Sequence, residues 1–476
     1  MEYALEKERM QGLIVRGYGG LPSAQFLVLG FGAASRGRAW LADLADRLTA
    51  ATERPERRAL HAAFTHGGLK QLGLPAEALA SFSPEFQEGM STGHRSRILG
   101  DHGESDPAHW TWGGGSREVH AILMLYAVDD EELAAFLSHE AGNLAGHDIT
   151  VVAELDTFAC PDFREHFGFR DGIAQPIIDG LPRSGPADNT VAPGEFVLGY
   201  PNQYERLPGS PTVAAATDRA GVLPPDPDDG NGAAAWRDFG RNGTYMVFRQ
   251  LSQDVRGFWS FVDRMSRNAN GEQQLDECVA LASKMVGRWP NGAPLVLAPE
   301  REEPAHAGED AFAYHATDPH GLRCPVGAHI RRANPRDSLA PDPGDSTVVS
   351  NRHRLLRRGR TYGRPVAMSM EAKDVLEAES YEGERGLHFV CLNTDIARQF
   401  EFVQHTWINN PKFEGMYNDV DAVSGDHDKK NAGYFTIPAE PVRRRVHDVP
   451  RFVHVRGGAY FFMPSIDAVR YLAALT

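Results

Sequence analysis

Short apolar runs alternate with amphipathic stretches along the whole chain. Gln25 to Gly30 (QFLVLG) predicts a strand, and Arg36 to Ala50 carries helical periodicity through Trp40, Leu41, Leu44 and Leu48. His120 to Val128 (HAILMLYAV) is too apolar for an edge strand and predicts a central one buried on both faces. Asp129 and Asp130 then open a helix over Glu131 to Ala141, and Ile149 to Leu155 returns as a strand. The second half repeats the rhythm. Thr244 to Leu251 predicts a strand followed by a helix from Asp254 to Met265, and Leu387 to Asn393 predicts a strand with a helix led by Asp395 through Phe402 to Trp407. Phe452 to Met463 supplies a last strand before the helix opened by Ser465, Ile466 and Asp467. Strand, helix and strand around an antiparallel hairpin, met twice, predict an α+β protein of two ferredoxin-like modules. The boundaries read as 1–200 for the first module, 201–240 for a connection and 241–476 for the second. Tyr200 to Gly232, rich in Pro, Gly and Asp, reads as a long surface loop or an interdomain connection, and Asn334 to Asp345 reads as a similar stretch.

Composition narrows the class. The 476 residues are enough for one large two-module fold or for two to three domains. Lys and Arg number 49 against 64 Asp and Glu, a formal charge of −15, which argues against nucleic acid or an anionic membrane as partner. The basic exception is local: Arg352, Arg354, Arg357, Arg358, Arg360 and Arg364 fall within thirteen positions. Four scattered cysteines, Cys160, Cys278, Cys324 and Cys391, show no zinc spacing and read as reduced, mostly buried thiols. The start of the chain carries charges of both signs and lacks the apolar core of a secretion signal, and no apolar run reaches the roughly 18 residues that span a bilayer. The expected location is cytoplasmic.

Two segments carry chemistry. In His166-Phe167-Gly168-Phe169-Arg170-Asp171-Gly172, a single carboxylate stands between glycines among aromatics. Glycines at 168 and 172 allow backbone angles that other residues resist and let a flat ligand approach the main chain. An Asp-Gly pair alone is also ordinary turn chemistry. The second segment, Cys324 to Arg336, places His329 after Gly327 and Ala328 and before several arginines. Small side chains there leave room for a planar group to reach the imidazole. His315 and His320, in a polar loop, lack that setting.

Together these motifs resemble the dye-decolourising peroxidase family over most of the chain's length. The resemblance implies a dimeric α+β barrel-like arrangement with haem b bound in the C-terminal module. It implies His329 as the iron ligand, Asp171 as the group that moves the peroxide proton, and Arg357 as the positive charge beside the departing oxygen. Arg358 is the close competitor, since a one-residue gap would exchange the two. Leu387 and Phe389, on one face of their strand, would cap the distal side of the haem, and Arg336 would pair with a propionate. An acidic residue should orient the second nitrogen of His329, with Asp395 and Glu401 as candidates.

The implied activity is reduction of hydrogen peroxide at the expense of a bulky organic reductant, a dye or a phenolic. A haem-handling protein of the same fold, carrier or iron-releasing enzyme, is the alternative within haem chemistry. A haem-free binding or assembly module is the alternative outside it. A homo-oligomer is compatible with the sequence, and no carboxylate trio supports manganese oxidation.

Overall fold

The computed structural model describes residues 4–115, 118–183, 185–227, 235–339, 341–379, 383–427 and 433–476. Its frame follows from the apolar runs. Nine strands form one sheet: β1 (Ser23–Phe31), β2 (Arg58–Phe64), β3 (Ala121–Ala127), β4 (Ile149–Asp156), β5 (Thr244–Gln253), β6 (Leu356–Arg357), β7 (Arg360–Tyr362), β8 (Gly386–Asn393) and β9 (Val453–Met463). The all-apolar β3 is buried at every position and lies between β1 and β2, as its composition predicts.

The order across the sheet is β6-β8-β5-β9-β2-β3-β1-β4, with β7 also paired to β8. Within residues 23–156 the strands lie in the order second, third, first, fourth. Residues 244–463 repeat that order, with β6 and β7 together taking the second place. The halves meet along β9 and β2 through the single pair Phe462 and Phe64. Beyond that pair, the side chain of Gln11 stands in for a neighbouring strand. Its Oε1 accepts the Ala62 N–H at 3.0 Å, and its Nε2 donates to Ala62 O and Pro464 O, each at 2.9 Å.

The sheet curls towards itself. Phe158 N–H, just past β4, donates to Thr361 O of β7 at 2.8 Å, and His388 Nε2–H of β8 donates to Asp156 O at 2.8 Å. Alternation along each strand therefore separates an inner face from an outer one. Phe26, Met124, Tyr126, Phe248, Val390 and Phe461 fill the inside. The outer face packs under helices, among them α1 (Ala34–Ala45) and the last helix of the chain, Ile466–Ala473, whose Trp40, Leu44, Val469 and Leu472 share one core. The acidic start of α2 (Asp130–Gly146) is capped by Asp129, which accepts the Glu132 N–H at 2.8 Å. Asp254 caps α3 (Val255–Ser266) in the same way at Gly257.

Four expectations need correction. The helix read as Arg36 to Ala50 ends at Ala45, because Thr49 leaves it to pair with β2 through its own N–H and hydroxyl at Leu60. The stretch from Asp395 to Trp407 is wound mainly as π-helix, Ala397–Glu401 and Val403–Ile408, with Glu401 N–H reaching back five residues to Ile396 O. The connection after Tyr200 is packed rather than loose: Thr212–Ala214 pairs with Trp236–Asp238, and Val213 is fully buried in the core beside Leu198 and Phe239. Its residues 228–234 lie outside the described residues. Likewise the stretch from Asn334 contains a helix, Pro343–Arg352, with proline in its first turn and Asp342 capping Gly344 and Asp345. The four cysteines are free thiols, three of them buried. Among the described residues no helix is long and apolar enough to cross a membrane.

Candidate active site

His329 opens a short helix, His329–Ala333, that two buried arginines hold in place. Arg331 donates to Asp318 O at 3.1 Å and Cys324 O at 3.0 Å. Arg332 donates to Trp407 O at 2.5 Å and Asn410 O at 3.1 Å. These arginines are spent on backbone carbonyls, with Arg331 also paired to the Asp318 carboxylate at 3.3 Å, and they do not face solvent. Gly327 is small for a reason: a Cβ there would sit 3.3 Å from Met416 Sδ. The Nδ1 of His329 faces the Asp421 carboxylate at 3.1 and 3.2 Å.

Asp421 is itself fixed, accepting the N–H groups of Val423 and Ser424 and the Ser424 hydroxyl. Burial alone would raise its carboxyl, but His329 and the Ser424 amide hold it down to about 2. Burial works against the imidazolium of His329 too, yet the Asp421 charge outweighs it and lifts the ring above its ordinary value. The two acidic candidates from the sequence are engaged elsewhere. Asp395 pairs with Arg398 at 3.3 Å, and Glu401 binds Arg95 at 2.8 Å and the Tyr460 hydroxyl at 2.7 Å.

Asp171 lies on a segment that leaves the end of β4 and crosses to the second half. Gly168 and Gly172 both take positive φ, +93° and +78°, and at Gly168 a Cβ would come within 2.6 Å of Met370 O. Phe167 and Phe169 anchor the segment on α3, with ring centroids 4.6 Å from Phe258 and 6.3 Å from Trp259. Asp171 N–H donates to Phe163 O at 2.9 Å.

The arginine facing Asp171 is set by strand alternation. Arg357 of β6 pairs with Cys391 of β8, so it shares the outer face with Cys391, Phe389 and Leu387. Its Nη1 donates to Asp171 Oδ1 at 2.8 Å, and its backbone N–H donates to Gln175 Oε1 at 3.1 Å. Arg358 points the other way, its Nε donating to Leu13 O at 2.6 Å and its Nη2 to Ile14 O at 2.8 Å. Leu387 and Phe389 remain half-buried on the outer face, whereas His388 and Val390 are buried inside.

His329, Asp171 and Arg357 retain 34%, 38% and 31% of their side-chain surface. Protein nonetheless surrounds His329 and Asp171, so this surface belongs to an internal cleft rather than to the outside of the molecule. Each of the three is near enough to feel the charge of the others. Burial pushes the Asp171 carboxyl up, but Arg357, the Gly172 amide and His329 together hold it below the usual carboxylate value. Its charged form is therefore the stable one across the neutral and mildly acidic range.

Arg336 sits at the margin. Its guanidinium stacks over Phe312 and donates to Asp310 O at 2.9 Å, and it lines a polar cavity of about 20 Å³ with Arg354, Asn189 and Asp337.

The cleft suits a planar metal macrocycle. One imidazole, oriented through Nδ1, presents an Nε2 with no hydrogen-bond partner among the described residues. Among those residues no three His, Cys, Asp or Glu converge as a metal cage. A group that brings its own equatorial ligands needs only the single protein ligand. The Asp171–Arg357 pair is near enough to His329 to feel its charge, and Leu387 and Phe389 share the outer sheet face with Arg357.

The chain is similar over most of its length to proteins named as peroxidases. Peroxidase 2 of Mycetinis scorodonius is 28% identical over 450 residues, covering 89% of this chain and 77% of that protein. The multifunctional dye peroxidase DyP2 of Amycolatopsis sp. is 29% identical over 473 residues, covering 94% and 91%. A dye-decolourising peroxidase solved in complex with 2,6-dimethoxyphenol superposes with a TM-score of 0.76 at 26% identity, over 99% of this chain and 100% of that one. A deferrochelatase of Yersinia pestis matches at 30% over 197 residues, 41% of this chain. No protein-family model matches the chain. The chain belongs to the dye-decolourising peroxidase family. It is an enzyme, a peroxidase of the dye-decolourising type.

Proposed function

We propose that the enzyme binds haem b through His329 Nε2 and reduces hydrogen peroxide with electrons drawn from bulky phenols or dyes. The observation that carries this reading is the Arg357–Asp171 hydrogen bond, set across the cleft from an imidazole whose Nδ1 is held by Asp421. When bound, haem iron supplies the redox chemistry on the peroxide oxygens. The protein handles the protons and charge. Asp171, ionised because Arg357 stabilises it, would take the proton from one peroxide oxygen and return it to the oxygen that leaves. Its Oδ1 is held by Arg357, which leaves Oδ2 as the oxygen outside that bond. Arg357 offers a fixed positive charge where negative charge builds up on the departing oxygen. Asp421 keeps the proton on His329 Nδ1, which fixes the ring and aims Nε2 into the cleft. Leu387 and Phe389 would keep the far side apolar and short of water, and Arg336, paired here with Asp310, would hold a carboxylate of the bound macrocycle. On this reading the recurrent strand orders are two ferredoxin-like modules, 1–200 and 241–476, joined at 201–240 into a barrel-like pair with the haem in the second.

A haem carrier would need neither the Asp171–Arg357 pair nor its placement, and the deferrochelatase match spans less than half the chain. The purified protein is expected to show a Soret band that changes within milliseconds to seconds of adding peroxide. It is then expected to oxidise 2,6-dimethoxyphenol, which a relative binds. A Soret band unchanged by peroxide would favour the carrier, and no haem at all would remove both readings.

Strand parity gives a sharper test. Replacing Arg357 with leucine is expected to slow the reaction with peroxide on the order of 100-fold, because a charge aimed at a developing anion in a dry site is lost. Arg358→Leu should leave that rate within a few-fold, since its guanidinium is bonded to Leu13 and Ile14 on the opposite face. Stopped-flow kinetics of the two variants measure this, and the reverse ranking would place the wrong arginine in the cleft.

A further inference from the structure

Six residues before Asp171 lies a carboxylate that the scheme above does not use. Glu165 Oε2 accepts the Phe167 N–H at 3.0 Å and Gln253 Nε2–H at 2.7 Å, and Oε1 accepts the Phe169 N–H at 3.1 Å. Its backbone closes the same turn, with Glu165 N–H donating to Phe169 O at 2.9 Å and Gly168 N–H donating to Glu165 O at 2.8 Å. Gln253 ends β5, so one of these bonds crosses from the Asp171 segment to the second half of the sheet. Among the described residues no lysine, arginine or histidine forms an ion pair with Glu165. We propose that Glu165 is a positioning residue for proton transfer: its carboxylate clamps the turn that carries Asp171 and ties that turn to β5.

The physical case rests on what holds the turn. Three N–H groups converging on one carboxylate are charge-assisted bonds, roughly twice as strong as neutral ones. They fix the peptides of Phe167 and Phe169, whose rings lie on Phe258 and Trp259, and so they fix the path of the chain into Asp171. A glutamine could not replace the carboxylate without loss, because its amide presents N–H groups where acceptors are needed.

The charges around Glu165 make this clamp sensitive to pH. On its own segment the Asp171 carboxylate acts on it, the Cys160 thiol is pushed up by burial and by the Glu165 charge, and Arg164 alongside is paired with Glu371 at the start of the helix 372–377. From β5 only the neutral Gln253 reaches it. His166 is held neutral by burial, with Arg385 at the edge of β8 adding to the effect. Burial, opposed by the Phe167, Gln253 and Phe169 donors, pushes the Glu165 carboxyl up to about 7. Below that value it gains a proton, and the three bonds lose their charge assistance.

The test rests on the reading of Asp171 above and is built to separate the two. The rate of the haem-loaded protein with hydrogen peroxide is measured by stopped flow from pH 5 to 9 for wild type, Glu165→Gln, Gln253→Leu and Asp171→Asn. Wild type is expected to slow about threefold from pH 8 to pH 6 as the clamp loosens. Glu165→Gln should be about 10-fold slower at pH 8 and flat across that window, a loss in keeping with a small displacement of the reacting group. Gln253→Leu removes one donor to the carboxylate and should shift the wild-type inflection to higher pH. Hydrogen–deuterium exchange at pH 8 gives a readout independent of turnover: the Phe167 and Phe169 amides should exchange faster in Glu165→Gln. A wild-type profile flat between pH 6 and 8, or one whose inflection survives in Glu165→Gln, overturns the proposal even if Asp171→Asn is slow. An Asp171→Asn variant with full activity overturns the reading of Asp171 instead.

Discussion

Replacing His329 with alanine is expected to remove most of the Soret absorbance of the purified protein and with it nearly all turnover. No second side chain in the cleft can take over. Asp421 would lose its partner and remain a buried carboxylate, and no three potential ligands converge anywhere among the described residues. A carboxylate stripped of its partner in the interior is itself costly, on the order of several kcal/mol. Thermal denaturation of the variant should therefore be followed beside its haem content, to separate loss of the ligand from loss of the fold. His315 and His320 are exposed, the first in a turn organised by Asp337 and the second in the next turn, closed on Asp318. Their alanine variants should keep haem and activity. The assignment fails if His329→Ala keeps a normal Soret band and full turnover while either of those variants loses both.

Asp171→Asn is expected to leave haem content and fold intact while slowing the reaction with peroxide between ~100-fold and ~10,000-fold, the range general acid–base groups contribute. Asparagine keeps the shape and one acceptor for Arg357 but cannot take a proton at neutral pH. The pH dependence follows from the direction of the shift. Arg357 holds the Asp171 carboxyl below its usual value, so the base form persists well into the acid range. Apart from the neutral inflection assigned to Glu165, the rate with peroxide should hold as the pH falls to about 4, near an ordinary carboxylate value, and drop only below it. The same shift contributes stability above the unfolded carboxylate's value, and that contribution is lost as the pH falls through the lowered one. Oxidation of bulky dyes can still be fastest under acid conditions, because taking up a proton assists electron uptake by the oxidised enzyme. Near wild-type peroxide kinetics in Asp171→Asn at every pH would move the proton transfer to another group, Arg357 or a chain of waters.

The elements legible in the sequence are those whose signal is local. The unbroken apolar run of β3 marked a central strand, and Asp129, Asp254 and Ser465 marked helix starts that the structure caps with those side chains. Glycines 168 and 172 announced a special backbone and have one. What local pattern could not carry was geometry made by the fold. Asp421 lies 92 residues from His329, within Asp419-Val420-Asp421-Ala422-Val423-Ser424, and its bonds to the Val423 and Ser424 amides are those of any acidic turn. Nothing in that stretch separates an imidazole's partner from a loop residue. Asp395 and Glu401 stood as candidates between which the sequence did not choose, and their own arginines account for them. Strand alternation could have separated Arg357 from Arg358, but only once the two-residue strand β6 and its pairing with Cys391 were known. The π-helical winding after Ile396 leaves the hydrophobic spacing close to that of an α-helix, so the sequence did not distinguish them.

The path of the chain between β4 and Asp171 bears on how the protein tolerates length variation. Phe158 and His166 bracket β7, the first exchanging hydrogen bonds with Thr361 and the second donating to Tyr362 O at 2.8 Å. This connector is therefore measured out, residue by residue, between two fixed points. One residue added or removed between Asp156 and Asp171 would displace the carboxylate by up to ~3.5 Å, more than the length of its hydrogen bond to Arg357. Insertions in this family should therefore gather in connections such as that after Tyr200 and spare the stretch from Thr157 to Gly172.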